Sequence, residues 1–262
     1  MQAKKAFGQH FLHDRGVLAA IVRTLAPKEG EAVVEIGPGT GRLTSALLEV
    51  VAAERLVAIE QDRDMIAHLG EKLPALRVLQ GDAARFDFDP VLPALVVGNL
   101  PYNASAAIYF HLLLGYRRHV RRMVLMFQRE VAERFVAGPG SKAYGPPSVL
   151  TAVLAEACLV LRVGPEAFRP PPKVWSAVLR IDPLAEPRFG LGEGDVAPFL
   201  DFVHGLFRQR RKTVANNLRV LLGDADVAGP LGAAGVDGRL RAEAIAPETL
   251  VSLWRHVVGR PG

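Results

Sequence analysis

Residues 32–47 read Ala-Val-Val-Glu-Ile-Gly-Pro-Gly-Thr-Gly-Arg-Leu-Thr-Ser-Ala-Leu. The first five, apolar except for Glu35, predict a buried strand that ends in a glycine-rich loop. The pattern from Leu43 to Val51 predicts a helix. A strand that turns through glycines into a helix is the repeating unit of a parallel α/β sheet. Ligands gather at the carboxyl ends of such strands. Outward from this stretch the alternation continues. Strands are expected at 56–59, 77–79, 94–97 and 123–127, and helices at 62–69, 105–114 and 129–136. Asp62 is the expected N-cap of the second helix. The pattern predicts a doubly wound, mostly parallel sheet. Two strands at 157–163 and 174–181, with no long helix between them, predict an antiparallel hairpin at its edge. The Pro/Gly-rich segment 183–195 reads as a linker. Helical patterns at 196–207, 208–222 and 249–258 then predict a small helical domain. The expected organisation is a sheet domain at 1–182 and a helical domain at 196–262.

The 262 residues carry 32 Lys and Arg against 27 Asp and Glu, a formal net charge of +5, and half of them are apolar. That apolar share supplies a core and excludes a disordered chain. A single cysteine, Cys158, excludes a disulfide framework and a cysteine-based zinc site. No apolar run approaches the roughly 18 residues of a membrane span, and residues 1–11 lack the apolar core of a secretory signal. A soluble cytoplasmic protein is expected, with no membrane and no metal. The positive charge is concentrated. Arg208, Arg210, Arg211, Lys212 and Arg219 fall within twelve residues without an acid, and Arg117, Arg118, Arg121 and Arg122 form a second cluster. Lys4 and Lys5 add a smaller basic point. Separated basic clusters in a mildly basic protein point to a phosphate backbone.

The glycine spacing narrows the chemistry. A dinucleotide site needs its third glycine one position later, where Arg42 stands, and no phosphate-loop lysine follows. That disfavours a dehydrogenase. Gly37, Gly39 and Gly41 instead resemble the first motif of S-adenosylmethionine-dependent methyltransferases. Glu60, at the end of the next strand, can accept both hydroxyls of a ribose. Asp82 follows the third strand and resembles the residue that binds the adenine amino group of that cofactor.

The segment Asn99-Leu100-Pro101-Tyr102 matches Asn-x-Pro-Tyr, the motif of enzymes that methylate exocyclic amino nitrogens. The chemistry follows from the residues. The target lone pair is delocalised into an aromatic ring and is a poor nucleophile. The Asn99 side-chain carbonyl and a backbone carbonyl of a loop restrained by Pro101 can each accept one N–H bond. They thereby favour a tetrahedral nitrogen. Tyr102 offers a flat face for a base.

With these residues in place, the chain resembles the bacterial small-subunit rRNA adenine N6,N6-dimethyltransferases over nearly its whole length. Phe7-Gly8-Gln9-His10-Phe11-Leu12 resembles the family's N-terminal motif, which implies cofactor contacts at His10 and Leu12. His10 stands where the family usually has Asn. Phe168-Arg169-Pro170-Pro171-Pro172-Lys173-Val174 resembles a late motif whose Phe and the motif Tyr sandwich a flipped adenine, so Phe168 inherits that role. Gln128–Arg134 resembles a further family segment, and Phe207–Thr213 the basic helix that opens the family's C-terminal domain. The resemblance implies S-adenosylmethionine as cofactor. It also implies two adjacent adenines of a 16S rRNA stem-loop, within a 30S particle, as substrate of a monomeric enzyme acting late in subunit biogenesis. Two rivals stay open: a 23S rRNA adenine methyltransferase of the macrolide-resistance type, and a non-catalytic rRNA-binding assembly factor. Both basic clusters are expected to face RNA.

Overall fold

The structure, a computed structural model, describes residues 10–223 and 226–259. Lys4, Lys5 and the first three residues of the N-terminal motif lie outside that range. The described chain divides into two compact units. One runs to Ala132 and resumes over Ala157–Pro183; the other comprises Glu133–Glu156 and the residues from Leu184 onward. The first unit is therefore discontinuous in sequence, and the second takes an internal segment. No described helix is long and apolar enough to cross a membrane.

In the first unit β1 (Phe11–Leu12) leads into α1 (Arg15–Leu25), followed by β2 (Val33–Ile36), α2 (Arg42–Leu47), β3 (Leu56–Glu60) and α3 (Arg63–Lys72). Then come β4 (Arg77–Gln80), β5 (Ala94–Asn99), α4 (Ser105–Gly115), β6 (Val120–Gln128) and the start of α5 (Arg129–Phe135). Within this unit the chain closes with most of β7 (Ala155–Val163), β8 (Phe168–Arg169) and β9 (Ser176–Pro183). The seven-stranded sheet has the order β4-β3-β2-β5-β6-β9-β7. β2 pairs in parallel with both β3 and β5, and β9 runs antiparallel to its neighbour β6. The order of strand addition reverses between β2 and β5. In an open α/β sheet that switch point is where a ligand crevice forms.

Local chemistry sets these elements. The Asp14 carboxylate caps α1 by accepting from Val17 N at 2.9 Å. Asp62 caps α3 in the same way through Asp64 N, as its sequence position suggested. All four β2 residues are buried, as expected of a central strand covered on both faces. The core beneath the crevice gathers Ile21, Leu25, Leu47, Val97 and Met126. Helix α2 stops earlier than the apolar pattern suggested. The Leu47 carbonyl accepts from both Val50 N and Val51 N, which closes the chain into a turn. The two-residue ladder between β1 and β8 pairs Phe11 with Arg169 and Leu12 with Phe168. Nothing in the local sequence announced it.

The second unit is helical: α6 (Pro146–Leu154), α7 (Val196–Phe207), α8 (Val214–Leu222), α9 (Ala228–Ala233) and α10 (Pro247–Val257). α6 is apolar and packs on α7, which explains why the internal segment belongs here. The Tyr144 hydroxyl donates to the Ile245 carbonyl at 2.9 Å, and the Phe199 and Trp254 rings meet edge to face. The basic run Arg208–Lys212, expected in a helix, is instead the turn between α7 and α8. Thr213 starts α8 by capping Asn216 N. Buried Asn217 donates Nδ2 to the carbonyls of Leu206 and Gln209 and so pins the turn.

Candidate active site

The carboxyl ends of β2, β3 and β5 and the loop after β4 open into one cavity. Gly37, Gly39, Glu60, Asp82, Asn99 and Leu100 line it, with Pro101, Tyr102, His10 and Leu12. Ten of the residues singled out from sequence thus converge, although 92 positions separate the first from the last.

The glycine loop is held by its own backbone. Gly37 N donates to the Ile59 carbonyl and Gly41 N to that of Pro38, both at 2.9 Å. Gly37, Gly39 and Gly41 all have positive φ, a region that side chains with a Cβ rarely adopt. Gly39 lies under the Phe11 ring, so a Cβ there would meet the ring at 3.0 Å. Gly41 does not line the cavity. A Cβ there would sit 2.8 Å from a Leu69 methyl, so its function in the fold is the close approach of α2 to α3.

Glu60 is fixed by three backbone donors. Its Oε2 accepts from Gly39 N at 3.1 Å, and its Oε1 from Gln61 N and Asp62 N at 2.8 and 2.9 Å. Burial raises its carboxyl above the usual range, and these bonds oppose the rise. Asp82 Oδ1 accepts from Ala84 N, which shapes the loop after β4. Glu35, one strand over, is 1% exposed and also lines the cavity. Burial pushes its carboxyl up to about 8, and the Glu60 charge adds to the rise. Thr44 donates to the carboxyl and opposes the rise, while Oε2 is left without a hydrogen-bond partner. The glycine-loop pattern contains Glu35, but nothing in it signalled a buried acid with one oxygen unpaired.

The Asn-Leu-Pro-Tyr turn has a defined polarity. Asn99 Nδ2 donates to the His10 carbonyl at 3.0 Å, which leaves Oδ1 as the amide's acceptor in the cavity. The Pro101 carbonyl is taken by Ala104 N and the Tyr102 carbonyl by the Ser105 hydroxyl. Among the described residues the Leu100 carbonyl accepts no hydrogen bond. The Tyr102 hydroxyl is 2.6 Å from that of Ser176, a fully buried residue the sequence gave no reason to notice. Burial raises the Tyr102 phenol above its ordinary value, so it stays neutral.

The aromatic partner of Tyr102 differs from expectation. Phe168 is 2% exposed and belongs to the hydrophobic core with Leu12 and Val178; it does not line the cavity. Its register opposite Leu12 turns it inward. The ring beside Tyr102 is that of His10, 5.6 Å away between centroids and tilted by 30°. The His10 Nδ1–H donates to the Pro170 carbonyl at 2.8 Å.

The basic clusters are also revised. Arg117 is 4% exposed. Arg121 makes a two-pronged pair with Glu31, and Arg122 pairs with Asp182. Arg210 pairs with Glu243 and donates to the Lys142 carbonyl. Arg118, Arg208, Arg211 and Lys212 are exposed. Much of what reads as an RNA patch is therefore framework, because long chains of one sign find nearby carboxylates and carbonyls.

Comparison with known proteins agrees with the site. The profile of the family described as ribosomal RNA adenine dimethylase matches residues 1–256. The chain is 40% identical to the ribosomal RNA small subunit methyltransferase A of Hahella chejuensis, across 99% of this chain and 94% of that protein. It is 43% identical to the protein of that name from Chromohalobacter salexigens, across 98% and 92%. The crystal structure of the 23S rRNA methyltransferase ErmE superposes with a TM-score of 0.73 at 27% identity, covering 95% of this chain and 99% of that one. Similarity over almost every residue, joined to a cavity built from the motif positions, has one consequence: the chain belongs to the ribosomal RNA adenine dimethylase family of S-adenosylmethionine-dependent methyltransferases.

Proposed function

We propose that the chain dimethylates N6 of two adjacent adenines in small-subunit rRNA, acting as a cytoplasmic monomer on a 30S particle. The observation that carries the reading is the fixed amide of Asn99 beside the open Leu100 carbonyl. Two acceptors and no base suit an amino nitrogen that attacks before it loses its proton. The relatives named small subunit methyltransferases, at 40% and 43% identity, favour the small subunit over the 23S reading. The likeness to ErmE supports only a shared architecture, since an enzyme named for the large subunit has it too.

The residues present fit the cofactor. S-adenosylmethionine supplies an electrophilic methyl on a positively charged sulfur. Gly37 would let its chain pass, since a Cβ there has nothing nearer than the Asn99 carbonyl at 3.8 Å. Glu60 retains lone pairs for a ribose diol after its three backbone bonds. Asp82 would accept from the adenine amine. The Glu35 carboxyl, with one oxygen unpaired in a buried wall, would give a cationic ligand a counter-charge once it releases its proton, and a bound cation would favour that release.

On the substrate side, Asn99 Oδ1 and the Leu100 carbonyl accept the two N–H bonds of the target amine and hold its lone pair toward the methyl. Tyr102, anchored through Ser176, stacks the base. Leaving the helix costs the nucleotide a few kcal/mol, and one aromatic stack returns about 1–3 kcal/mol. His10 is too close to Tyr102 for a base to slide between them, so the adenine displaces its ring or takes the opposite face. The test is incubation with S-adenosylmethionine and 30S particles lacking the modification, then mass analysis of the nucleosides. N6,N6-dimethyladenosine in 16S rRNA is expected; its absence, or its appearance in 23S rRNA only, overturns the reading.

A further inference from the structure

A second depression adjoins the active-site cavity, and Phe11, Thr40 and Arg42 line both. It encloses about 1160 Å³ among α1, α2, α3 and β8. Its walls carry five permanent cations, Arg15, Arg23, Arg42, Lys72 and Arg169, against one carboxylate, Glu49. Lys72 donates to the Thr40 carbonyl at 2.9 Å. All four arginines are exposed and make no ion pair or side-chain hydrogen bond among the described residues. The contrast with Arg121, Arg122 and Arg210, whose guanidiniums are spent within the fold, is direct. Like charges gathered without counter-charges repel one another, and a ligand that brings negative charge relieves the repulsion.

We infer that this groove holds the phosphodiester backbone of the RNA and leads it to the cavity, an inference that rests on the rRNA reading above. Several cations spread over three helices and a strand suit a chain of phosphates better than one isolated anion. The guanidinium fork matches phosphate geometry. The groove opens on the methyl-transfer cavity at Arg42 and Thr40, so a backbone lying in it presents its next nucleotide to Tyr102. The chain's own first nine residues do not neutralise it, since they contain Lys4, Lys5 and no acid.

The test measures binding of a labelled hairpin RNA by fluorescence anisotropy from about 50 to 200 mM salt, comparing the wild type with Arg23→Ala/Arg169→Ala. These positions belong to different elements, α1 and β8, and lie outside the methyl-transfer cavity. The double variant should bind about 10-fold or more weakly at low salt. The slope of log affinity against log salt should fall by about two, one per lost phosphate contact. Arg23→Lys/Arg169→Lys should restore most of the slope, and calorimetric S-adenosylmethionine binding should be unchanged in all three proteins. Equal affinity and slope for the wild type and the alanine variant overturn the inference, as does a wild type that binds no RNA. Because this readout needs no turnover, an RNA-binding protein with an active groove and no methylation would sink the functional reading and leave the groove standing.

Discussion

Asn99 and Tyr102 are each committed to a partner far away in sequence, Asn99 to His10 and Tyr102 to Ser176. These bonds fix which acceptor and which ring a substrate meets. Asn99→Ala removes the side-chain acceptor and leaves the Leu100 carbonyl. Turnover should fall by about 10²–10³, by analogy with the loss of one preorganised polar group in an active site, with cofactor affinity kept. Single-turnover kinetics beside calorimetry separate the two effects, and a normal rate would remove Asn99 from the mechanism. Phe168 and Tyr102 make a paired prediction. Tyr102→Ala should lose turnover by up to about 10²-fold through lost stacking. Phe168→Leu, a change within a packed core, should keep the rate within a few-fold and lower the melting temperature instead. A rate loss in Phe168→Leu as large as in Tyr102→Ala would put the Phe168 ring against the base after all. The cavity residues at strand ends were legible because parallel strands deliver their carboxyl ends to one place. His10 beside Tyr102, and Ser176 behind it, were not. Pairings across 92 and 74 positions leave no local pattern.

Elements follow the sequence where burial is periodic and depart from it where a single cap or ladder decides. The five parallel strands and α3 sit where alternation and Asp62 suggested. The basic run became a turn because Thr213 and Asn217 set where α8 begins, a matter of three hydrogen bonds rather than of helical pattern. β1 and β8 are too short to show any period, yet their register buries Phe168 and carries His10 to Tyr102. The join between β2 and β5 leaves no room for a side chain at Gly98. A Cβ on Gly98 would lie 2.7 Å from the Ile36 carbonyl, which is backbone and cannot turn aside. Gly98→Ala should therefore cost about 1–3 kcal/mol and push apart the strands that carry Glu35 and Asn99. Thermal unfolding together with cofactor affinity checks this. A variant as stable as the wild type would mean that the sheet yields there without cost.

At the scale of the molecule, the net charge of +5 said little, and its distribution along the chain said less than its pairing in the fold. Arg121 and Arg122 looked like free surface charge from sequence and are paired with Glu31 and Asp182 in the fold, whereas Arg15, Arg23 and Arg169 are too far apart in sequence to read as a cluster. The same holds for acids. Glu35 stands in a motif, but only the folded strand order shows that it is buried near Glu60. Its carboxyl, pushed up to about 8, is protonated in the fold over a range where the unfolded chain, with a value near 4.5, has released the proton. Between these values the native state binds more protons, so stability must fall as pH rises. The slope is at most about 1.4 kcal/mol per pH unit, and the fall levels off above about 8. Glu60 is raised as well and acts with the same sign, whereas Asp182, lowered by Arg180 and Arg122 against its burial, loses its contribution only on acidification. Glu35→Gln keeps the shape and removes the titration. In melts without cofactor, the difference between this variant and the wild type should be small near pH 5 and grow toward pH 8 in the variant's favour, by about 2–4 °C for each kcal/mol. A constant difference across that range would show that Glu35 is already ionised in the fold. With S-adenosylmethionine present the sign should reverse near pH 8, because the ligand's positive charge then finds a carboxylate in the wild type and a neutral amide in the variant.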